Sequence, residues 1–255
     1  MSLRNIHTPL SNLDAPELVN FHRNGFHFFE RESYSWCPEF FEKIKHFRNN
    51  DSNFELKSKN NGGRTLKNEV MESRKASFIV DYLFETNLLQ RCMEVVGTPL
   101  YLTNYIFIEC HGKTKSLPWH RDTYHYKNSN RVGLIPYNYK LLISNDHLDN
   151  NSSGTEVLKG SHNIDFSSSL FDFFYKILKP GKTRFSGRIG DAIIFNGHAM
   201  HRRPETKSNK SRSTIIFGLA PVQWHQTSYV KNHSNVIERY NQNFEKLISA
   251  NNQNA

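Results

Sequence analysis

The chain has 255 residues and a formal net charge of +9 with its histidines neutral, a length that one domain with a sizeable core can use. Only 37% of residues are hydrophobic, yet 19 Phe and 11 Tyr supply large side chains for burial, so the composition reads as a globular domain with a polar surface. No apolar run nears the roughly 20 residues a bilayer requires, and Met1-Ser2-Leu3-Arg4-Asn5 lacks the apolar core of a secretory signal, which excludes a spanning helix and predicts a cytoplasmic protein.

Residues 1 to about 15 read as an arm. Asp14 is placed to cap a helix beginning near Pro16 and stopped by Gly25, and Phe26-His27-Phe28-Phe29 is strand-like,. From Pro38 to Arg48, Phe40, Phe41, Ile44 and Phe47 recur at helical spacing and predict a buried face,. Asn49 to Arg64 is polar and Gly-rich, which predicts a mobile loop. A second helix is expected from Phe78 or Asp81 to Val96, ending at Gly97,. These helices would stiffen a sheet from outside.

Leu100 to Cys110 alternates as a strand, with Asn104 on the face that would point inward,. Lys113 and Lys115 follow in a hairpin, where exposed loop lysines are the ordinary reading. Thr123 to Tyr139 is a polar and aromatic loop that would serve as a lid, with Tyr124, His125, Tyr126 and Arg131 as candidate substrate contacts,. Tyr139 to Ser144 reads as a central strand, Asp146 to Ser153 as a turn, Gly154 to Leu158 and Thr183 to Arg188 as strands, and Leu170 to Ile177 as a short helix,. After Pro221, Val236, Tyr240, Phe244, Leu247 and Ile248 predict a final amphipathic helix before an Asn-rich end,.

Short strands separated by turns, with helices gathered at the N-terminus, imply an α+β protein. Its centre would be a double-stranded β-helix, a jelly-roll or cupin-like core. One domain is expected over 1–255: helical support to about 97, the core over 98–222, and a helix and tail over 223–255. Cys37, Cys92 and Cys110 are odd in number and lack Cys-x-x-Cys spacing, which argues against disulfides or a zinc ribbon,. Basic residues are dispersed rather than interleaved with aromatics on one face, so no nucleic-acid partner is expected.

The chemistry is concentrated in His120-Arg121-Asp122. Side chains two apart on an extended segment share a face, so an imidazole and a carboxylate can close on one ion. Downstream, Gly190-Asp191 opens a buried strand that leads to His198 and His201, in a polar strand expected to run to Arg203-Pro204. Arg212 follows on the next strand, at Thr214-Ile215-Ile216-Phe217, and its guanidinium can take a carboxylate in a bidentate fork,. Two histidines and one carboxylate form a facial triad that leaves positions on Fe(II) open for a bidentate co-substrate and O2.

With those residues assembled, the chain resembles the phytanoyl-CoA dioxygenase family of Fe(II)/2-oxoglutarate oxygenases. His120, Asp122, His201 and Arg212 stand where that family has His-x-Asp, a distal His and an Arg about eleven residues beyond it. Phe21-His22-Arg23-Asn24-Gly25-Phe26, the turn Gly154-Thr155-Glu156-Val157-Leu158-Lys159-Gly160-Ser161-His162 and Gly190-Asp191 also match, so the resemblance covers about 18–222. It implies the double-stranded β-helix and an iron held by His120, Asp122 and His201. His198 and His201 face opposite sides of a strand, and the family spacing selects His201. The resemblance also implies 2-oxoglutarate paired through its distal carboxylate with Arg212 and a supporting hydroxyl from Thr214; strand parity, apart from the resemblance, offers Asn104 as a donor to the co-substrate. The implied reaction is hydroxylation of a small molecule with release of succinate and CO2. Because Asp122 is present, no ligand position is vacated for chloride, which disfavours halogenation; desaturation and ring closure use the same site. Two rivals stand beside it: a metal- and 2-oxoglutarate-binding regulatory protein without turnover, and a cupin-like metalloenzyme that needs no co-substrate. The positive surface leans towards an anionic substrate.

Overall fold

A computed structural model describes residues 15–58, 63–72, 76–122, 138–148, 154–163, 177–178, 181–207, 209, 211–221, 240 and 243–244. The arm over 1–14, the lid over 123–137 and nearly all of the helix expected from Leu170 lie outside them.

Helix α1 (Pro16–Asn24) starts with Pro in its first turn and stops at Gly25, which takes φ 84 and donates its N–H to Phe21 O,. Its N-cap is Ala15, whose side chain caps nothing, and the expected capping residue, Asp14, is outside the described residues. Helix α2 (Pro38–Arg48) buries Phe40, Phe41 and Ile44. A short helix that periodicity did not reveal, α3 (Asn68–Glu72), precedes α4 (Phe78–Glu85) and α5 (Leu88–Val96). The single helix expected there is broken because Asn87 adopts φ 58, a left-handed conformation that Asn tolerates and that no helix interior contains. Among the described residues no helix is long and apolar enough to cross a membrane.

The strands are β1 (Phe26–Phe29), β2 (Phe54–Ser58), β3 (Gly63–Leu66), β4 (Leu100–Cys110), β5 (Tyr139–Ser144), β6 (Thr155–Leu158), β7 (Lys182–Phe185), β8 (Ala192–Asn196), β9 (His201–Arg202) and β10 (Arg212–Pro221). They form a seven-stranded sheet in the order β1-β8-β5-β10-β4-β3-β2 and a three-stranded sheet in the order β7-β6-β9. Bridges from Thr114 to Thr206 and from His120 to His201 continue the small sheet past β9. All the strand pairs are antiparallel, and β5, β8 and β10 of the large sheet are separated in sequence by β6–β7 and by β9 of the small one, in the way of a double-stranded β-helix,.

Strand parity sorts the large sheet into two faces. Leu141, Ile143, Ile194, Ile215 and Phe217 pack with Phe40, Leu83, Leu89 and Met93 of the helices. On the opposite face Leu142, Ile193 and Phe195 join Val157 and Phe185 of the small sheet in a second core. Residues of the intervening parity, Arg212, Thr214 and Ile216 among them, are thereby turned to the space between the sheets.

Two departures from expectation bear on that space. The segment expected as a loop over Asn49 to Arg64 contributes β2 and the start of β3, a hairpin paired to β4 through Gly63, Arg64 and Thr65. Phe54 is buried against Phe107, ring centroids 5.6 Å apart, and Arg64 donates to the buried Glu109 at 2.8 Å. These long-range contacts override the local polarity. The polar strand expected from near His198 reduces to His201–Arg202, with His198 in the preceding turn. At Gly154 a Cβ would stand 1.5 Å from Phe185 O, so only glycine fits where β6 comes against β7,. The described part of the C-terminal region includes Tyr240 and Phe244, both buried, with Tyr240 against Phe84 and Tyr101. Cys92 and Cys110 are buried, Cys37 is half-buried, and all three are free.

Candidate metal centre

His120 and His201 are antiparallel bridge partners, so their side chains leave the backbone on the same face,. The imidazole centroids stand 4.4 Å apart. Asp122 is fixed nearby by its N–H, which donates to Gly197 O at 3.0 Å. Asp122 Oδ1 lies 3.6 Å from His201 Nε2 and 3.9 Å from His120 Nε2, and the three donor atoms all fall within 4.8 Å of one another. Each Nδ1 sits 2.9 Å from a carbonyl, Pro118 O for His120 and Ala199 O for His201. Since a carbonyl only accepts, Nδ1 carries the hydrogen, and Nε2 is the nitrogen turned towards Asp122,.

Electrostatics favour the ligand forms. Burial and the neighbouring His201 lower the pKa of His120, keeping the imidazole neutral,. Burial alone would raise that of Asp122. Its pairing with His201, helped by Lys140 and His120, outweighs this and holds the carboxyl below the usual carboxylate range. The residues therefore fit a divalent ion, for which they would offer two imidazole nitrogens and one carboxylate oxygen from one side,.

His198 is not part of this cluster. Its carbonyl accepts from Arg121 Nη1 at 2.6 Å, and its buried ring lies near Arg121 and His162. Burial, then those two neighbours, push its pKa down to about 4. His162 is tied to the fold by its Nε2, which donates to His22 O at 2.9 Å.

The three donors open into a cavity of about 410 Å³ between the sheets, also lined by Ile106, Ile108, Leu142, Ile216, Thr214 and Arg212. Thr214 stands between Ile108 of β4 and Ser144 of β5, and Arg212 lies opposite Cys110. Arg212 is buried, its Nη2 is 3.4 Å from Thr155 Oγ1, and burial, with Arg203 nearby, brings its pKa down to about 10. It therefore remains a cation at neutral pH, in apolar surroundings suited to a carboxylate.

Other sequence candidates fall elsewhere. Asn104 shares the parity of Ile106 and Ile108 but stands opposite Gly218, four residues beyond Thr214, and does not line the cavity. Lys113 and Lys115 are exposed. Tyr124, His125, Tyr126 and Arg131 lie outside the described residues. Conversely, Lys140, which no sequence motif marks, lines the cavity with Nζ 3.7 Å from Asp122 Oδ2. The available signal is a lysine between Tyr139 and the apolar run Leu141-Leu142-Ile143. Arg202 also borders the cavity and is held by the fully buried Glu156, which accepts from Arg202 Nε at 2.8 Å and from Arg184 Nη2 at 2.6 Å. The Arg202 guanidinium lies over the Trp119 ring at 4.7 Å, joining β9 to the segment that carries His120,.

Residues 15–214 match the family model described as Phytanoyl-CoA dioxygenase (PhyH). No curated protein sequence matches the chain. Among solved structures, AviO1 from Streptomyces viridochromogenes Tue57 is similar with a TM-score of 0.61 at 19% identity, over 81% of this chain and 94% of that one. SnoK, described as a non-heme alpha ketoglutarate dependent carbocyclase from nogalamycin biosynthesis, gives 0.64 at 12% identity, over 83% and 85%. EctD from S. alaskensis, with 2-oxoglutarate and 5-hydroxyectoine, gives 0.62 at 13% identity, over 83% and 79%. At these identities the likeness is one of fold.

Proposed function

From the premise that the chain belongs to the phytanoyl-CoA dioxygenase family of Fe(II)/2-oxoglutarate oxygenases, we propose that it hydroxylates a small molecule, with His120, Asp122 and His201 as iron ligands and Arg212 as the anchor for 2-oxoglutarate. The observation that carries this is that one cavity joins a cluster of two imidazoles and a carboxylate to a buried guanidinium. When bound, Fe(II) with 2-oxoglutarate and O2 supplies oxidation of a substrate C–H bond, with formation of succinate and CO2.

This chain's residues supply the rest. His120 and His201 offer nitrogens whose orientation is set by carbonyls before any ion arrives,. Asp122 supplies the one anionic protein ligand, so the carboxylate's position is not vacated for a halide. Arg212 takes the distal carboxylate in a fork, and Thr214, two residues along the same face, adds a hydroxyl,. Ile106, Ile108, Leu142 and Ile216 exclude water around the chain of the co-substrate,.

The test is an anaerobic titration with Fe(II) and 2-oxoglutarate, followed by a succinate-release screen of small metabolites in air. The reading expects a weak visible charge-transfer band, substrate-stimulated succinate, and a product heavier by one oxygen atom. A product lighter by two hydrogens would replace hydroxylation with desaturation or ring closure on the same residues. A band without succinate for any compound would leave a binding protein, and no band would remove the iron and co-substrate assignment.

A further inference from the structure

We infer that Lys140 is the substrate-binding cation of this site and that it receives an oxyanion of the substrate, a carboxylate in the first instance. The inference rests on the oxygenase reading above and adds the chemical class of the substrate.

Register places Lys140 at the opposite end of the cavity floor from Arg212. On β5 and β10, Ser144 faces Thr214, Leu142 faces Ile216, and Lys140 faces Gly218. Lys140 is thus four residues from the Thr214 row, about 14 Å at roughly 3.4 Å per residue, and about 20 Å from the Arg212 row. A five-carbon diacid anchored on Arg212 and closing on the metal leaves the Lys140 end of the floor uncovered. That end is also the more open one, since Arg212 is 6% exposed whereas the Lys140 side chain is 16% exposed and that of Asp122 beside it 26%.

The two oxygens of Asp122 are divided between two partners. Oδ1 is the oxygen near both imidazoles, and Oδ2 is the one near Lys140 Nζ at 3.7 Å. The ammonium therefore sits beside the donor cluster and outside it. Once Asp122 neutralises part of a bound ion's charge, it no longer balances Lys140. Fe(II), Asp122, Arg212 and a dianionic 2-oxoglutarate together carry no net charge. Of the other cations bordering the cavity, Arg202 is paired with Glu156, and Arg203 is turned to Cys110 Sγ at 3.1 Å and Lys115 O at 3.0 Å. Among the described residues the loaded site thus keeps two cations without an anionic partner, Arg203 on the Arg212 side and Lys140 beside the donor cluster; the half-buried charge at Lys140 is stabilised by an anion and repels cationic compounds.

The test compares wild type with Lys140→Met, which keeps the alkyl stem, and with Lys140→Arg, which keeps the charge. The probes are small carboxylic acids, each matched with its primary amide, scored by succinate release and by calorimetric titration into Zn(II)-loaded, 2-oxoglutarate-bound protein. We expect acids to be preferred over their amides, Lys140→Met to weaken acid binding about tenfold or more and erase the preference, and Lys140→Arg to restore most of it. The affinity for 2-oxoglutarate, read from the anaerobic charge-transfer band, should be the same in all three proteins. Amides that bind as well as acids, a Lys140→Met protein with unchanged acid affinity, or a panel in which no acid binds would overturn the inference. So would a loss of 2-oxoglutarate affinity in Lys140→Met, which would assign Lys140 to the co-substrate's own carboxylate. Failure of the oxygenase reading is seen separately, as a wild-type protein without the band.

Discussion

His120 and His201 are joined backbone to backbone: His120 N donates to His201 O at 3.0 Å, and His201 N donates to His120 O at 2.9 Å. Two candidate ligands far apart in sequence are therefore one cross-strand pair, positioned by the small sheet itself. A site built this way exists before metal binds and loses little entropy when it does.

His201→Ala should lower Fe(II) affinity by about a hundredfold or more and abolish 2-oxoglutarate turnover, because it removes one of three protein ligands. His198→Asn should retain metal stoichiometry, since His198 lies outside the donor cluster. Anaerobic metal titration of both proteins checks the assignment, and equal metal affinity in wild type and His201→Ala would refute it.

Arg212→Ala should raise the KM for 2-oxoglutarate by about a hundredfold, the effect of removing one partner from a desolvated charge pair worth about 2–5 kcal/mol. Thr214→Val should raise it by roughly two- to tenfold, the range for one neutral hydrogen bond. Fe(II) affinity without co-substrate should be unchanged in both, so steady-state kinetics and metal titration together separate anchoring from metal binding.

Glu156→Gln should destabilise the fold by about 2–3 kcal/mol in urea unfolding. Glu156 is fully buried and holds Arg184 and Arg202, with Lys182 at 3.5 Å, and the partial exposure of these cations keeps the loss below that of a wholly buried pair,. Because Arg202 follows His201 and lies over Trp119, Fe(II) affinity should fall by about tenfold as well,.

The metal-free protein should lose stability as pH falls from about 7 to about 5. His198 has a folded pKa of about 4, below its unfolded value near 6.5. The unfolded chain therefore takes up the proton first, the stabilising contribution is complete above the unfolded value, and it declines until the folded pKa is reached. Urea unfolding at both pH values should show about 2 kcal/mol more loss in wild type than in His198→Asn. Equal losses would show that His198 is not the titrating group.

The donor set was legible because ligand chemistry restricts residue type: His-x-Asp, a later His and an Arg on the following strand are few in any sequence. The apolar strands were legible from their alternation. What stayed hidden depends on pairing between distant segments. The β2–β3 hairpin is polar along its length and becomes sheet through Phe54 on Phe107 and Arg64 on Glu109. Asn104 has the inward parity but does not line the cavity, and the alternation of its own strand does not reveal this. The proximity of Lys140 to Asp122 is likewise set by how β5 and the His120 segment meet, not by either stretch alone. Asn87 breaks a helix that apolar spacing runs straight through.

Gly154 carries no chemistry, yet the next residue is Thr155, whose hydroxyl is 3.4 Å from Arg212. Any side chain at Gly154 would have to push Phe185 O aside, and the displacement would pass along one peptide unit to the anchoring guanidinium. A mutational scan of this chain that scores co-substrate affinity alone should therefore find a loss at a glycine that touches no ligand, transmitted by main-chain crowding.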